Sequence, residues 1–93
     1  MRDYEAVLIL DPRLDETSMQ QAVERVTGAI KAKGELTKLD TWGRRRLAYE
    51  IRHLGEGYYL VAKFKGDSAL VDELDHLLKV GEEYLRAKIV RIP

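Results

Sequence analysis

With 93 residues, no cysteine, 45% hydrophobic and 34% charged side chains, the sequence supplies one core, and disulfides, thiolate metal sites and cysteine nucleophiles are excluded. The formal net charge is zero, 16 Lys and Arg against 16 Asp and Glu, so any attraction for a polyanion must come from uneven placement of charge. The N-terminus Met1-Arg2-Asp3-Tyr4-Glu5 is charged and no apolar run approaches the roughly 18 residues of a membrane span, so neither a signal peptide nor a membrane partner is expected.

Tyr4 to Leu10 is a β-rich run closed by Asp11-Pro12, the pattern of a buried central strand near 3–10. Asp15 can cap a helix near 16–33, in which Met19, Ala22, Val23, Val26, Ala29 and Ile30 recur at three- and four-residue spacing, with Gly34 as a left-handed stop. A long second strand follows near 36–52, interrupted near Gly43, where Leu47, Tyr49 and Ile51 alternate with Arg46, Ala48, Glu50 and Arg52. Leu54-Gly55-Glu56-Gly57 reads as the hairpin connection to a third strand near 57–65. Asp67 or Ser68 caps a second helix near 68–80, with Leu70, Val71, Leu74, Leu77 and Leu78 on one stripe, and 84–92 alternates as a fourth strand.

The order β-α-β-β-α-β over 1–93 is the α+β, ferredoxin-like split βαβ plan of one domain, with a four-stranded antiparallel sheet in the order 4-1-3-2 and both helices on one face. Tyr4, Ala6, Leu8, Tyr58, Leu60, Ala62, Phe64, Leu85, Ala87 and Ile89 are expected to face the helices. The other face then carries Glu5, Val7, Ile9, Tyr59, Val61, Lys63, Arg86, Lys88 and Val90. It is too apolar to stay wholly wet.

Charge is segregated along the chain. Residues 67–83 are net −5, while 41–53, with Arg44, Arg45, Arg46 and Arg52 against Glu50, are net +3, and 84–93 add +3 through Arg86, Lys88 and Arg91. Arginines on an ordered strand point forked donors at fixed places, as phosphate binding requires; the same charges also guard a sheet edge against aggregation. Arg44, Arg45, Arg46 and Arg52 are the first candidate RNA-binding cluster, and Arg2, Arg86, Lys88 and Arg91 the second. Val7, Ile9, Tyr59 and Val61 are the candidate contact for a protein partner, since one tyrosine is a poor substitute for the aromatic set that stacks bases. On this reading Val61→Asp would spare the fold and break the pairing.

Catalytic groups do not converge. His53 and His76 have no metal-ligand spacing to each other or to a carboxylate, no glycine-rich loop cradles phosphate, and the acids of the second helix are most simply solubilising. No metal or cofactor is expected. Small ferredoxin-like hydrolases similar to acylphosphatase use an arginine after the first strand together with an asparagine; Arg13 lies in that loop, but the sequence has no asparagine.

Met1-Arg2-x-Tyr4-Glu5, Asp40-x-Trp42-Gly43-Arg44-Arg45-x-Leu47-Ala48-Tyr49-x-Ile51 and Gly57-Tyr58-Tyr59 together resemble the family of the sixth protein of the bacterial small ribosomal subunit, over essentially the whole chain. The resemblance implies a non-enzymatic RNA-binding component of the cytoplasmic ribosome that pairs with the eighteenth small-subunit protein, binds small-subunit ribosomal RNA at a helical junction, and is a monomer when free. Its basic positions match Arg2, Arg44, Arg45, Arg86 and Arg91. Asp3 and Glu50 depart from the family pattern and reduce local positive charge, and the sequence stops at Pro93 without the C-terminal tail common in the family. The alternative is a ferredoxin-like regulatory or dimerisation domain without RNA binding.

Overall fold

Two registers of apolar periodicity, near two and near 3.6 residues, divide the chain into strands and helices, and a computed structural model, which describes all residues from Met1 to Pro93, follows that division. The elements are β1 (Arg2–Leu10), α1 (Glu16–Lys33), β2 (Glu35–Ile51), β3 (Leu54–Gly66), α2 (Ser68–Val80) and β4 (Tyr84–Ile92). All pairings are antiparallel, in the order β2-β3-β1-β4. β1 and β3, the strands with the most buried residues, lie at the centre, with Tyr4 opposite Phe64, Ala6 opposite Ala62 and Leu8 opposite Leu60.

Both helices begin on an aspartate. Asp15 Oδ1 accepts the Ser18 N–H at 2.7 Å and Asp67 Oδ1 accepts the Leu70 N–H at 3.0 Å, satisfying amides that have no intrahelical partner. Ala22, Val26 and Ile30 of α1 and Leu70, Leu74 and Leu78 of α2 close on Ala6, Leu8, Leu10, Leu60, Ala62 and Phe64, and Tyr4 stacks on Phe64 with ring centroids 5.5 Å apart. The hydroxyl of the buried Tyr84 donates to the Ala22 carbonyl of α1 at 2.6 Å, and burial pushes its pKa up to about 12. Because the folded state favours the neutral phenol, this contribution is complete below the unfolded value of 10.0 and is lost as pH rises through about 12. Tyr84→Phe should lower unfolding free energy at neutral pH by about 1 kcal/mol. The gap between parent and variant, followed by urea unfolding, should narrow between pH 10 and pH 12; a constant gap would mean that Tyr84 does not ionise differently in the two states.

Three local expectations are corrected. Gly34 is not a left-handed stop: its φ of −156° and ψ of −154° are extended, and glycine is required because a Cβ would collide with the Lys65 carbonyl and Leu70. The hairpin turn is not at Leu54–Gly57 but at Arg52 and His53, whose φ values of 51° and 64° make a two-residue turn between the paired Ile51 and Leu54. Packing of Ile51 and Leu54 against a second apolar cluster sets that register over the preference of non-glycine residues for negative φ. Gly57 falls inside β3, where a Cβ would strike Ile9 Cγ2. Leu85 leaves the helix face: a register shift between β1 and β4 pairs Leu10 with Tyr84 and Ile9 with Arg86, so Tyr84 enters the main core and Leu85 joins Ile9 and Leu47 on the opposite side.

The helix-free face is accordingly not left bare. The far end of the β2–β3 hairpin lies over it and builds the second cluster of Ile9, Leu47 and Leu85, with Ile51, Leu54 and Tyr59 packed around it. It reaches the opposite edge of the sheet, where Arg52 Nη1 donates to the Glu82 carbonyl at 2.9 Å and Arg86 bonds the Tyr49 hydroxyl.

Candidate nucleic-acid interface

The arginine block is divided by the pleat of β2. Arg44 is paired with Tyr58 and Arg45 with Gly57, so the two leave opposite faces. Arg44 turns toward the helices, where its Nη2 donates to the Pro12 carbonyl at 3.0 Å in the hollow between α1 and the hairpin. Arg45 takes the other face, beside Trp42 and Tyr59. Arg46, opposite Glu56, is exposed. Arg45 and Arg46 make no hydrogen bond or ion pair within the chain, whereas Arg44, Arg52 and Arg86 are each held by one.

The sequence grouping of Arg44, Arg45, Arg46 and Arg52 is thus spread over two faces and the hairpin tip. Arg52 instead meets Arg86: both line a cleft with Lys79, Asp75 and Tyr84 at the start of β4. The Arg86 guanidinium lies 5.2 Å from the Tyr49 ring centroid, a cation–π contact that fixes its direction. The second grouping also divides. Arg86 and Lys88, opposite Ile9 and Val7, share the helix-free face, while Arg2, opposite Gly66, and Arg91, opposite Tyr4, are on the helix side at the other end of the sheet.

Val7, Ile9, Tyr59 and Val61 do form one block, with Val7 opposite Val61 and Ile9 opposite Tyr59. Two of them are not available as surface, however: Val61 is 3% exposed and Ile9 8%, the latter covered by Leu47, Leu85 and the close-lying Gly57. Val7 and Tyr59 are half-buried, and the exposed large side chains nearby are Trp42, Tyr49 and Val90.

Trp42 is the residue that alternation could not place. It occupies a register shift between Thr41 and Gly43, and Gly43 supplies a φ of +77° there. The bulge turns Trp42 onto the helix-free face, parallel to Tyr59 with a 5° interplanar angle and a 6.3 Å centroid separation. The Trp-Gly pair inside an alternating strand was the available signal. Arg13 is taken up by Asp11, which binds it through both carboxylate oxygens at 3.0 and 2.8 Å, and that guanidinium holds the Asp11 carboxyl below its usual range.

The chain is therefore a ferredoxin-like α+β protein whose open sheet face carries directed cations beside exposed aromatic rings. The profile of the ribosomal protein S6 family matches residues 3–91. Small ribosomal subunit protein bS6 of Nocardia farcinica is 47% identical, covering 98% of this chain and 97% of its own length, and that of Carboxydothermus hydrogenoformans is 44% identical, covering 98% and 96%. The crystal structure of 30S ribosomal protein S6 from Thermotoga maritima superposes with a TM-score of 0.92 at 33% identity, over 98% of this chain and 87% of that one. The chain belongs to the ribosomal protein S6 family, a structural, non-enzymatic component of the small ribosomal subunit, and this assignment carries a cytoplasmic, ribosomal location with it. It takes the place of the regulatory-domain alternative. No helix is long and apolar enough to cross a membrane.

Proposed function

We propose that the chain binds small-subunit ribosomal RNA through its strand-borne cations and does so together with the eighteenth small-subunit protein. The observation that carries the RNA reading is the pair Arg45 and Arg46, two guanidiniums on ordered β2 with no partner inside the chain. Burying a free cation against phosphate sacrifices no intramolecular bond, and it releases condensed counterions from the RNA. Arg86 and Lys88 extend the positive surface on the face that Arg45 takes, Arg52 lies beside Arg86, and Arg2 and Arg91 provide cations on the helix side at the other end of the sheet. Arg44, engaged with the Pro12 carbonyl, shapes the block more than it contacts RNA.

The protein partner fits the β1–β4 side of the helix-free face, where Val7 and the 41%-exposed Val90 are rimmed by Arg86 and Lys88, with Tyr59 at the border. Ile9 and Val61 support this surface from beneath. The free chain is a monomer on this reading, because its own hairpin covers Ile9 and Leu85 on this face.

Titration of small-subunit ribosomal RNA across a salt series, with and without the partner protein, tests the proposal. Arg45→Ala should weaken binding to all RNA sequences and reduce the slope of log affinity against log salt by about one ion. Arg44→Ala should change that slope less and stability more. Slopes unchanged in Arg45→Ala and Arg46→Ala would assign these arginines to edge protection, and a partner that sediments separately would refute the pairing.

A further inference from the structure

The strongest unassigned feature is the hollow of about 400 Å³ on the helix-free face, lined by Trp42, Arg45 and Tyr59 alone. Its largest wall is Trp42, the only tryptophan of the chain, held by a bulged backbone and left 51% exposed. Its ring is parallel to Tyr59 and offset from it, with centroids 6.3 Å apart, so two aromatic rings of one orientation stand side by side and half of the indole is accessible. Arg45 supplies a cation with no intrachain partner, and no acidic side chain lines the hollow. Asp40, on the same face one register position away, is neutralised by Lys38 at 3.5 Å.

A flat aromatic surface beside an unpaired guanidinium matches a group that joins a planar ring to a phosphate. We propose that Trp42, Tyr59 and Arg45 form a single-nucleotide subsite, in which an unpaired base of the bound RNA stacks on Trp42 and its phosphate pairs with Arg45. The inference rests on the RNA-binding role proposed above and adds to it a contact that needs a base as well as a backbone. Stacking tolerates any base, because every base has a π-face, so the subsite selects unpaired over paired nucleotides and does not read sequence. It also divides the face: the β2–β3 side takes the base, and the β1–β4 side is left for the protein partner.

Trp42 is its own reporter, since all tryptophan fluorescence of the chain comes from it. The full chain is titrated with a short labelled oligoadenylate and with an abasic oligomer of the same length, reading Trp42 emission and label anisotropy together. Oligoadenylate should quench Trp42 in step with binding; the abasic chain should bind more weakly and leave the emission unchanged. Trp42→Ala should lose roughly tenfold in affinity for oligoadenylate, and Trp42→Phe should recover most of it. The half-exposed position makes both variants compatible with folding, which circular dichroism checks. Binding without quenching, or an unchanged affinity in Trp42→Ala, overturns the subsite and leaves the RNA-binding role standing. Absence of binding to this oligomer and to ribosomal RNA overturns both. A Trp42→Ala chain that keeps its RNA affinity but no longer pairs with the eighteenth small-subunit protein would reassign the hollow to a protein contact, which also overturns the subsite.

Discussion

Val61→Asp should destabilise the domain by at least about 3 kcal/mol, enough to unfold much of the population of a marginally stable chain. The side chain is 3% exposed, opposite Val7 on one side and Asp40 on the other. A carboxylate there loses its hydration, gains no donor from Val7, and is placed beside a like charge. It escapes partly by taking up a proton, so the loss should be smaller at pH 4 than at pH 7. Urea unfolding at the two pH values measures this, and parental stability at pH 7 would mean that water reaches the Val61 side chain between its strand neighbours.

The second large effect separates the two apolar clusters. Phe64→Ala removes a 1%-exposed ring at the junction of sheet and helices and should cost about 3–5 kcal/mol of global stability. Leu47→Ala, in the small cluster under the hairpin, should cost less globally, about 2 kcal/mol. Its signature is local: amide exchange should accelerate in residues 45–57 and remain slow in β1, because the hairpin end can lift while the main core stays closed. Equal acceleration throughout β1 would show that the two clusters unfold as one unit.

The helices and their starts were legible in the sequence, since an apolar stripe at 3.6-residue spacing with an aspartate cap has few alternative readings. The role of Gly34 at the end of α1 was not, because the Lys65 carbonyl and Leu70 that demand a glycine there come from distant sequence. Strand order followed from the β-α-β-β-α-β succession and the handedness of crossovers. The unread features were long-range ones. The turn moved to Arg52-His53 because Ile51 and Leu54 had to meet Leu47 and Ile9, residues whose proximity no local pattern reveals. Leu85 changed face because one residue is added between the partners of Ile9 and Leu10. In the candidate site the arginines were visible as composition, but the pleat that separates Arg44 from Arg45 and the bulge that brings Trp42 to Tyr59 depend on registers set across the sheet. Val61 read as open surface because alternation gives only the face, whereas its burial follows from its place on a central strand, between Val7 of β1 and Asp40 of β2.

The position of β1 has a consequence in time. Its partners arrive late: Tyr4 waits for Phe64, and Ala6 waits for Ala62 and then for Ile89. As the chain is synthesised, the first 33 residues supply an apolar strand and an amphipathic helix that have no sheet to join, while the β2–β3 hairpin can close from its own neighbours. Two-state domains with such distant pairings fold slowly, often in milliseconds to seconds. The nascent N-terminal third therefore has no strand partner for Val7, Leu8 and Ile9 while residues 34–66 are being made, and any factor that shields extended apolar segments has its best opportunity before residue 66 emerges.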